Sequence, residues 1–121
     1  NLLIETLKKI DIVICTALIP GKKAPVIIRG DMIKVMQKGS IIYDLAASQG
    51  GNTEFTKPDE TIDINGVKIL GDRNLLNKLA ISASNLYSKN LLNFVTNLYD
   101  KKNDKVIINL EDEIINKTLV K

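Results

Sequence analysis

Asp11-Ile-Val-Ile-Cys15 and Ser40-Ile-Ile-Tyr-Asp-Leu-Ala46 are two short, continuous apolar runs, and the segment between them decides the fold. Such runs, rich in β-branched residues, read as strands buried on both faces of a parallel sheet. Between them Pro20-Gly21-Lys22-Lys23-Ala24-Pro25 is a loop by its breakers. A helix is predicted over about 30–38, with Asp31 in its first turn, Ile28, Met32 and Val35/Met36 as its buried stripe, and Gly39 as its stop. Strand, helix and strand make a βαβ unit, whose crossover is right-handed almost without exception.

Outward from this unit, Leu3, Leu7 and Ile10 have helical spacing and place a helix before the first strand. After the second strand, Ser48-Gln-Gly-Gly-Asn52 is a loop leading into a less regular region around Phe55 and Pro58. Thr61–Ile64 and Val67–Leu70 flank Asn65-Gly66. That dipeptide marks a hairpin, because a type I′ turn needs positive φ at both central residues. From Ser82 a long helix carries Ala83, Tyr87, Leu91, Phe94 and Leu98 on one stripe, with Ser82 or Ser84 as its cap. Lys105–Leu110 and Ile114–Val120 alternate loosely and read as a second hairpin.

The chain is 121 residues long, 45% hydrophobic and 26% charged, which suits a folded chain rather than a disordered one. With no Trp, three Tyr and two Phe, its core must be aliphatic. Histidine is absent, which removes Ser-His-Asp and Cys-His nucleophilic sites and imidazole metal sites. The single Cys15 excludes an internal disulfide and a cysteine metal cluster, and points to a reducing compartment. The net charge of +3 is carried mostly by Lys interspersed with acids. Without an Arg-rich face and interleaved aromatics, this is a solvated surface and not a nucleic-acid interface. No apolar run approaches the roughly 20 residues that span a bilayer. The opening Asn1-Leu-Leu-Ile-Glu5 lacks the basic start and cleavage site of a secretory signal. A chain that begins at Asn rather than Met is expected to be a fragment.

Ligands of open parallel sheets lie beyond the carboxyl ends of the strands. Three segments fall there: Thr16-Ala17-Leu18-Ile19-Pro20; Asp44 with Ala46-Ala-Ser-Gln49-Gly50-Gly51-Asn52; and Gly71-Asp-Arg-Asn74. Small residues let backbone approach a flat ligand, and Gln49, Asn52 and Asn74 offer amide donors and acceptors. Equally, Gly50-Gly51 reads as a plain turn and Asp44 as a strand-end cap. No glycines fall in G-x-G-x-x-G and there is no P-loop, so a pyrophosphate has no cradle within these residues. Thr61-x-Asp63-x-Asn65-Gly66 with Asp72 echoes a calcium loop but lacks its first Asp and terminal Glu; the hairpin explains it better. Glu111-Asp112-Glu113 reads as a solvated turn, and Cys15, inside an apolar run, as a core residue.

Thr16-Ala-Leu-Ile-Pro-Gly-Lys-Lys-Ala-Pro25 and Asp44-Leu-Ala-Ala-Ser-Gln-Gly-Gly-Asn52 resemble the alpha subunit of the proton-translocating NAD(P) transhydrogenases, in its NAD(H)-binding domain I. Ser84–Phe94 resembles that family's returning helix, and Leu110-Glu-Asp-Glu113 its late hairpin. The resemblance implies an α/β fold: the C-terminal half of a Rossmann-like parallel-sheet lobe, followed by a long helix and a β-hairpin. Residues 1–80 would belong to the lobe, and 81–121 would return to a first lobe that precedes this segment. Thr16, Ala17, Leu18, Ile19, Pro20, Asp44, Gln49, Gly50, Gly51, Asn52, Asn74 and Leu75 match cofactor-binding positions, and no residue matches a catalytic or metal-binding one.

The implied cofactors are NAD(H) in the intact domain and NADP(H) on a partner domain. The implied partners are the upstream part of the subunit, a second copy of domain I, and the membrane and NADP-binding domains, on the cytoplasmic or matrix face of a membrane complex. Relatives usually carry Pro and Arg after the third-loop Asn, where this chain reads Asn74-Leu-Leu-Asn-Lys78, and Lys is a poor planar substitute for Arg. Alanine dehydrogenases of the same superfamily place a proton-handling acid where this chain has Ser48. Oxidative deamination needs proton transfer, whereas hydride transfer between two nicotinamides needs positioning and exclusion of water. Transhydrogenase is therefore favoured, with an alanine dehydrogenase-like oxidoreductase or a non-catalytic dimerisation fragment as alternatives.

Overall fold

The computed structural model describes residues 2–120, in two units that meet between Leu75 and Leu76. The first unit contains α1 (Leu2–Leu7), β1 (Ile12–Cys15), α2 (Gly30–Ile33), β2 (Ile41–Asp44), β3 (Thr61–Ile64) and β4 (Val67–Leu70). Its sheet runs β1-β2-β4-β3. β1 is parallel to β2 and β2 to β4, while β3 closes the far edge antiparallel to β4. The two apolar runs are thus parallel neighbours, as their composition predicts.

Register explains the core. Val13 pairs with Ile42, Ile42 with Ile69, and Ile69 with Ile62, so one row of aliphatic side chains crosses all four strands. Leu7 from α1 and Met32 and Ile33 from α2 join Ile42, Val67 and Ile69 in one cluster. Both helices therefore pack on the face that carries this row. The other face is open in β1: Ile12 is 63% and Ile14 64% exposed. This corrects the expectation that the first run is buried on both faces. As an edge strand of a sheet whose helices share one face, β1 buries only alternate residues, Cys15 fully and Val13 in part.

Two local expectations also change. The helix predicted over 30–38 is a single turn, although its stripe of Ile28, Met32 and Met36 is buried as expected. The Ile33 and Lys34 amides donate to carbonyls four residues back, but the Met36 amide reaches only to Ile33 O, and Gly39 turns the chain with φ +93°. The Asn65-Gly66 hairpin forms as read, with φ of +54° and +86° at its two residues.

The second unit holds most of α3 (Leu75–Lys78), then α4 (Ala80–Leu98), β5 (Tyr99–Asp100), β6 (Lys105–Val106) and α5 (Glu113–Thr118). α4 is the predicted long helix. It starts earlier than Ser82: Leu79 is its N-cap, with no side-chain cap bond, so neither Ser82 nor Ser84 caps it. α3 leads into α4 through Leu79, whose carbonyl accepts from the Ala83 amide. No residue of α4 is buried, and Ala83, Phe94 and Leu98 are half-buried.

The second hairpin exists but lies upstream of its predicted place, joining β5 and β6. Residues 114–118, read as strand, are helical instead. Asp112 caps α5 by accepting from the Ile114 and Ile115 amides, and Ile115 is buried. Glu111-Asp112-Glu113 is therefore a helix start rather than a simple turn. No described helix is long and apolar enough to cross a membrane.

Candidate functional site

Because β1, β2 and β4 are parallel, their carboxyl ends open on the same edge of the sheet. Three loops leave there: residues 16–27 after β1, 45–56 after β2 and 71–74 after β4. Such an edge is where open α/β sheets take their ligands.

Asp44 and Asn52 build the second loop and fasten the first to it. Asp44 is fully buried. Its Oδ1 accepts from the Ala46 amide at 2.9 Å, and its Oδ2 accepts from the Asn52 and Thr53 amides at 2.6 and 3.3 Å and from Thr56 Oγ1 at 2.5 Å. A buried carboxylate is tolerated only with donors of this number. Asn52, also fully buried, bridges to the first loop. Its Oδ1 accepts from the Ala17 amide at 2.9 Å, while its Nδ2 donates to Ala17 O and Pro25 O, both at 2.9 Å. Both amide protons and the carbonyl are thus used inside the protein. The Asn52 backbone carbonyl accepts from the Ile27 and Ile28 amides, and Gln49 O accepts from the Ala24 amide. With its amide nitrogen turned toward the first loop, Gln49 donates to Ile19 O at 3.2 Å and Lys22 O at 2.8 Å.

The glycine pair serves this packing. Gly50 and Gly51 have φ of +99° and +82°. A Cβ on Gly51 would lie 2.4 Å from Thr56 Cβ, and one on Gly50 would lie 2.9 Å from Lys23 Cε. The two loops present outward Thr16, Leu18, Ile19, Pro20, Ser48 and Gly50, with Ala17 partly exposed, and beside them the cations Lys22 and Lys23. Thr16 and Ala17 also line an open pocket of about 300 Å³ along β1, whose other walls include Leu3, Leu7, Val13 and Ile27. Its largely aliphatic lining suits the face of a planar ring and offers nothing to grip a phosphate.

The third loop is held separately. Asp72 Oδ1 accepts from the Asn74 amide at 2.9 Å, and its Oδ2 accepts from Tyr43 Oη at 3.2 Å, tying the loop to β2. Asn74 is exposed and Leu75 half-buried. At the β1 end, burial and, to a smaller extent, the Asp44 charge push the Cys15 thiol up to about 11. Cys15 is thus a protonated core residue at neutral pH and not a nucleophile.

Of the twelve positions singled out in the sequence, eleven lie at this edge in the three strand-end segments, and Leu75 opens α3 immediately after the third. Sequence reasoning placed Asp72 and Arg73 in the third segment without giving them a role, and it missed Thr53, Thr56, Tyr43 and Asp59, the last of which pairs with Arg73 and braces the third loop. Asp72-Arg73-Asn74 carried a readable signal, since Asp commonly accepts from the amide two residues on. Thr56 carried none, because only the folded turn brings it to Asp44. The buried Asp44 carboxylate at this edge is committed to the second loop by its four donors.

Parallel strands, a helical crossover and loops gathered at the strands' carboxyl ends define an open α/β chain of the Rossmann type. The chain belongs to the family described as "Alanine dehydrogenase/PNT, C-terminal domain", which matches residues 1–121. It is 45% identical over 117 residues to the first part of the NAD(P) transhydrogenase alpha subunit of Rhodospirillum rubrum, covering 97% of this chain and 30% of that protein. The corresponding protein of Rickettsia prowazekii is 43% identical over 118 residues, again with 30% of its length covered. The chain thus spans about 30% of these relatives' length. Alanine dehydrogenase 1 of Staphylococcus aureus is 44% identical over 61 residues, half of this chain. Among solved structures, the transhydrogenase from Sinorhizobium meliloti matches 77% of the chain with a TM-score of 0.68 and 44% identity. An L-alanine dehydrogenase matches 79% with a TM-score of 0.65 and 27% identity.

Proposed function

We propose that this chain forms the C-terminal portion of the NAD(H)-binding domain of an NAD(P) transhydrogenase. The observation that carries the reading is the convergence of the three strand-end loops on one edge of a parallel sheet. When bound, NAD(H) supplies the hydride that the intact enzyme delivers to NADP+ on a partner domain, coupled to proton translocation. The chain's own residues bind and orient. Thr16 to Pro20 run beneath the cofactor with an exposed apolar surface suited to a planar ring. Asp44, Gln49, Gly50, Gly51 and Asn52 hold that segment in place, and Asn74 with Leu75 contributes from the third loop. The aliphatic pocket walls beside Thr16 and Ala17 would offer apolar contact on one side of the ring.

The phosphate grip is assigned to an upstream half of the lobe, because these residues contain neither G-x-G-x-x-G nor a P-loop. That half would add a strand along the open edge of β1. A second copy of the domain, a membrane domain and an NADP-binding domain complete the assembly, on the cytoplasmic or matrix side of a membrane. The alanine dehydrogenase reading is favoured by the fold match and by 44% identity over half of this chain to an alanine dehydrogenase. Against it, the exposed Ser48 has no acidic function, and the nearby Asp44 carboxylate is taken up by four donors. Turnover of an amino acid by the intact parent would favour that reading.

NADH titration by fluorescence or calorimetry tests the proposal, first with this chain alone and then with the upstream portion of its parent subunit. Binding is expected only in the reconstituted pair. Tight binding by the chain alone would overturn the split-site account.

A further inference from the structure

We propose that Asp59 is a positioning residue of the dinucleotide site, acting through Arg73 to set the loop that presents Asn74. The inference rests on the NAD(H)-binding reading above. Asp59 lies outside the three strand-end loops and was no part of any motif in the sequence, yet it meets the third loop through both backbone and side chain. Its amide donates to Gly71 O at 2.5 Å, and the adjoining Glu60 carbonyl accepts from the Gly71 amide at 3.1 Å. Its Oδ1 accepts from the Arg73 amide at 3.1 Å, and its Oδ2 accepts from Arg73 Nε at 2.6 Å and Nη2 at 2.5 Å. One carboxylate therefore holds the backbone and the guanidinium of the residue immediately before Asn74. Asp72 holds the other side, accepting from the Asn74 amide.

Two further observations bear on how close this contact is. Asp59 adopts φ +60°, a left-handed conformation that Asp tolerates better than most L-residues. Gly71, where the two loops meet, has no room for a side chain, since a Cβ there would lie 2.2 Å from Lys57 O. The 57–60 turn is thus pressed onto the third loop at backbone distance. The Arg73 side-chain bond, reinforced by the Arg73 amide, holds the Asp59 carboxyl below its ordinary value. The guanidinium meets Oδ2 through two nitrogens while Oδ1 takes the Arg73 amide, so both carboxylate oxygens are engaged by the one residue. Arg73 thereby fixes the backbone that leads into the exposed Asn74.

The test is NADH affinity of the intact parent subunit by fluorescence titration, with thermal unfolding recorded in parallel. Because the pair is exposed, Asp59→Ala is expected to raise the Kd about threefold to fivefold. Arg73→Ala should match it, and the double variant should be no worse than either. In an Asn74→Ala background, Asp59→Ala should add nothing, because its effect passes through Asn74. If Asp59→Ala does not fold, Arg73→Ala, which removes the same side-chain contact from the other partner, is read by the same criteria. Unchanged affinity, or effects of Asp59 and Asn74 that multiply, would overturn the inference and leave the NAD(H) reading intact. Failure of the unaltered parent to bind NADH would overturn both.

Discussion

Gly51 shows how a single residue holds the second strand-end loop. Its φ is +82°, and a Cβ there would sit 2.4 Å from Thr56 Cβ and 2.8 Å from Asp44 Oδ2. Neither atom has room to retreat, because Thr56 Oγ1 and Asp44 are hydrogen-bonded to each other. Gly51→Ala is therefore expected to cost about 2–4 kcal/mol, from backbone strain plus overpacking against a satisfied buried carboxylate. Urea unfolding of the variant beside the parent measures it, and a loss below about 1 kcal/mol would mean the loop can shift. Gly50→Ala should cost less, because its Cβ meets the flexible end of Lys23. In the sequence the pair reads equally as room for a ligand and as a plain turn. That glycines were needed was legible; what fills the space was not, because Thr56 is brought back to Asp44 only by the fold.

At the scale of elements, the patterns that survive are those whose physics is local. Asn65-Gly66 specifies its own turn, and the β-branched runs at 12–15 and 41–44 pair in parallel as read. Elements were misread where a cap or a neighbour decides. Ile114–Val120 looks strand-like because isoleucine and valine favour strands, but Asp112 satisfies two orphan amides and starts a helix. Glu113 and Lys117, four apart on α5, form an ion pair that fits the same helix. A cap signal was present at Asp112, outweighed by the apolar alternation that follows it. Asp112→Ala should remove about 1 kcal/mol from this helix. Hydrogen exchange then reports it locally: the Ile114 and Ile115 amides should lose protection while those of β2 and β4 keep theirs. Equal loss in both places would mean that the cap supports more than α5.

For the molecule as a whole, the burial of β1 is the informative quantity. A parallel strand of aliphatic residues ordinarily lies inside a sheet with both faces covered. Here it lies at an edge of this chain, with Ile12 and Ile14 largely exposed. Unpaired strand edges with apolar side chains associate with other strands unless something blocks them. The same residues that were legible as a buried strand are thus the ones this chain leaves open, consistent with its spanning about 30% of the length of its relatives. The chain alone should therefore self-associate, giving a mass above the monomer by light scattering at about 50 μM, a concentration at which exposed edges typically associate. Ile12→Lys with Ile14→Lys places two charges on the open face, which natural edge strands use against pairing. That variant should shift to monomer with its circular dichroism unchanged, since neither side chain belongs to the core cluster. Adding the upstream portion of the parent should likewise replace the self-associated species by a one-to-one complex, and the lysine variant should form that complex less well. A clean monomer from the unaltered chain would show that the β1 edge is not what drives association. Self-association that persists unchanged in the lysine variant would shift attention to α4, none of whose residues is buried.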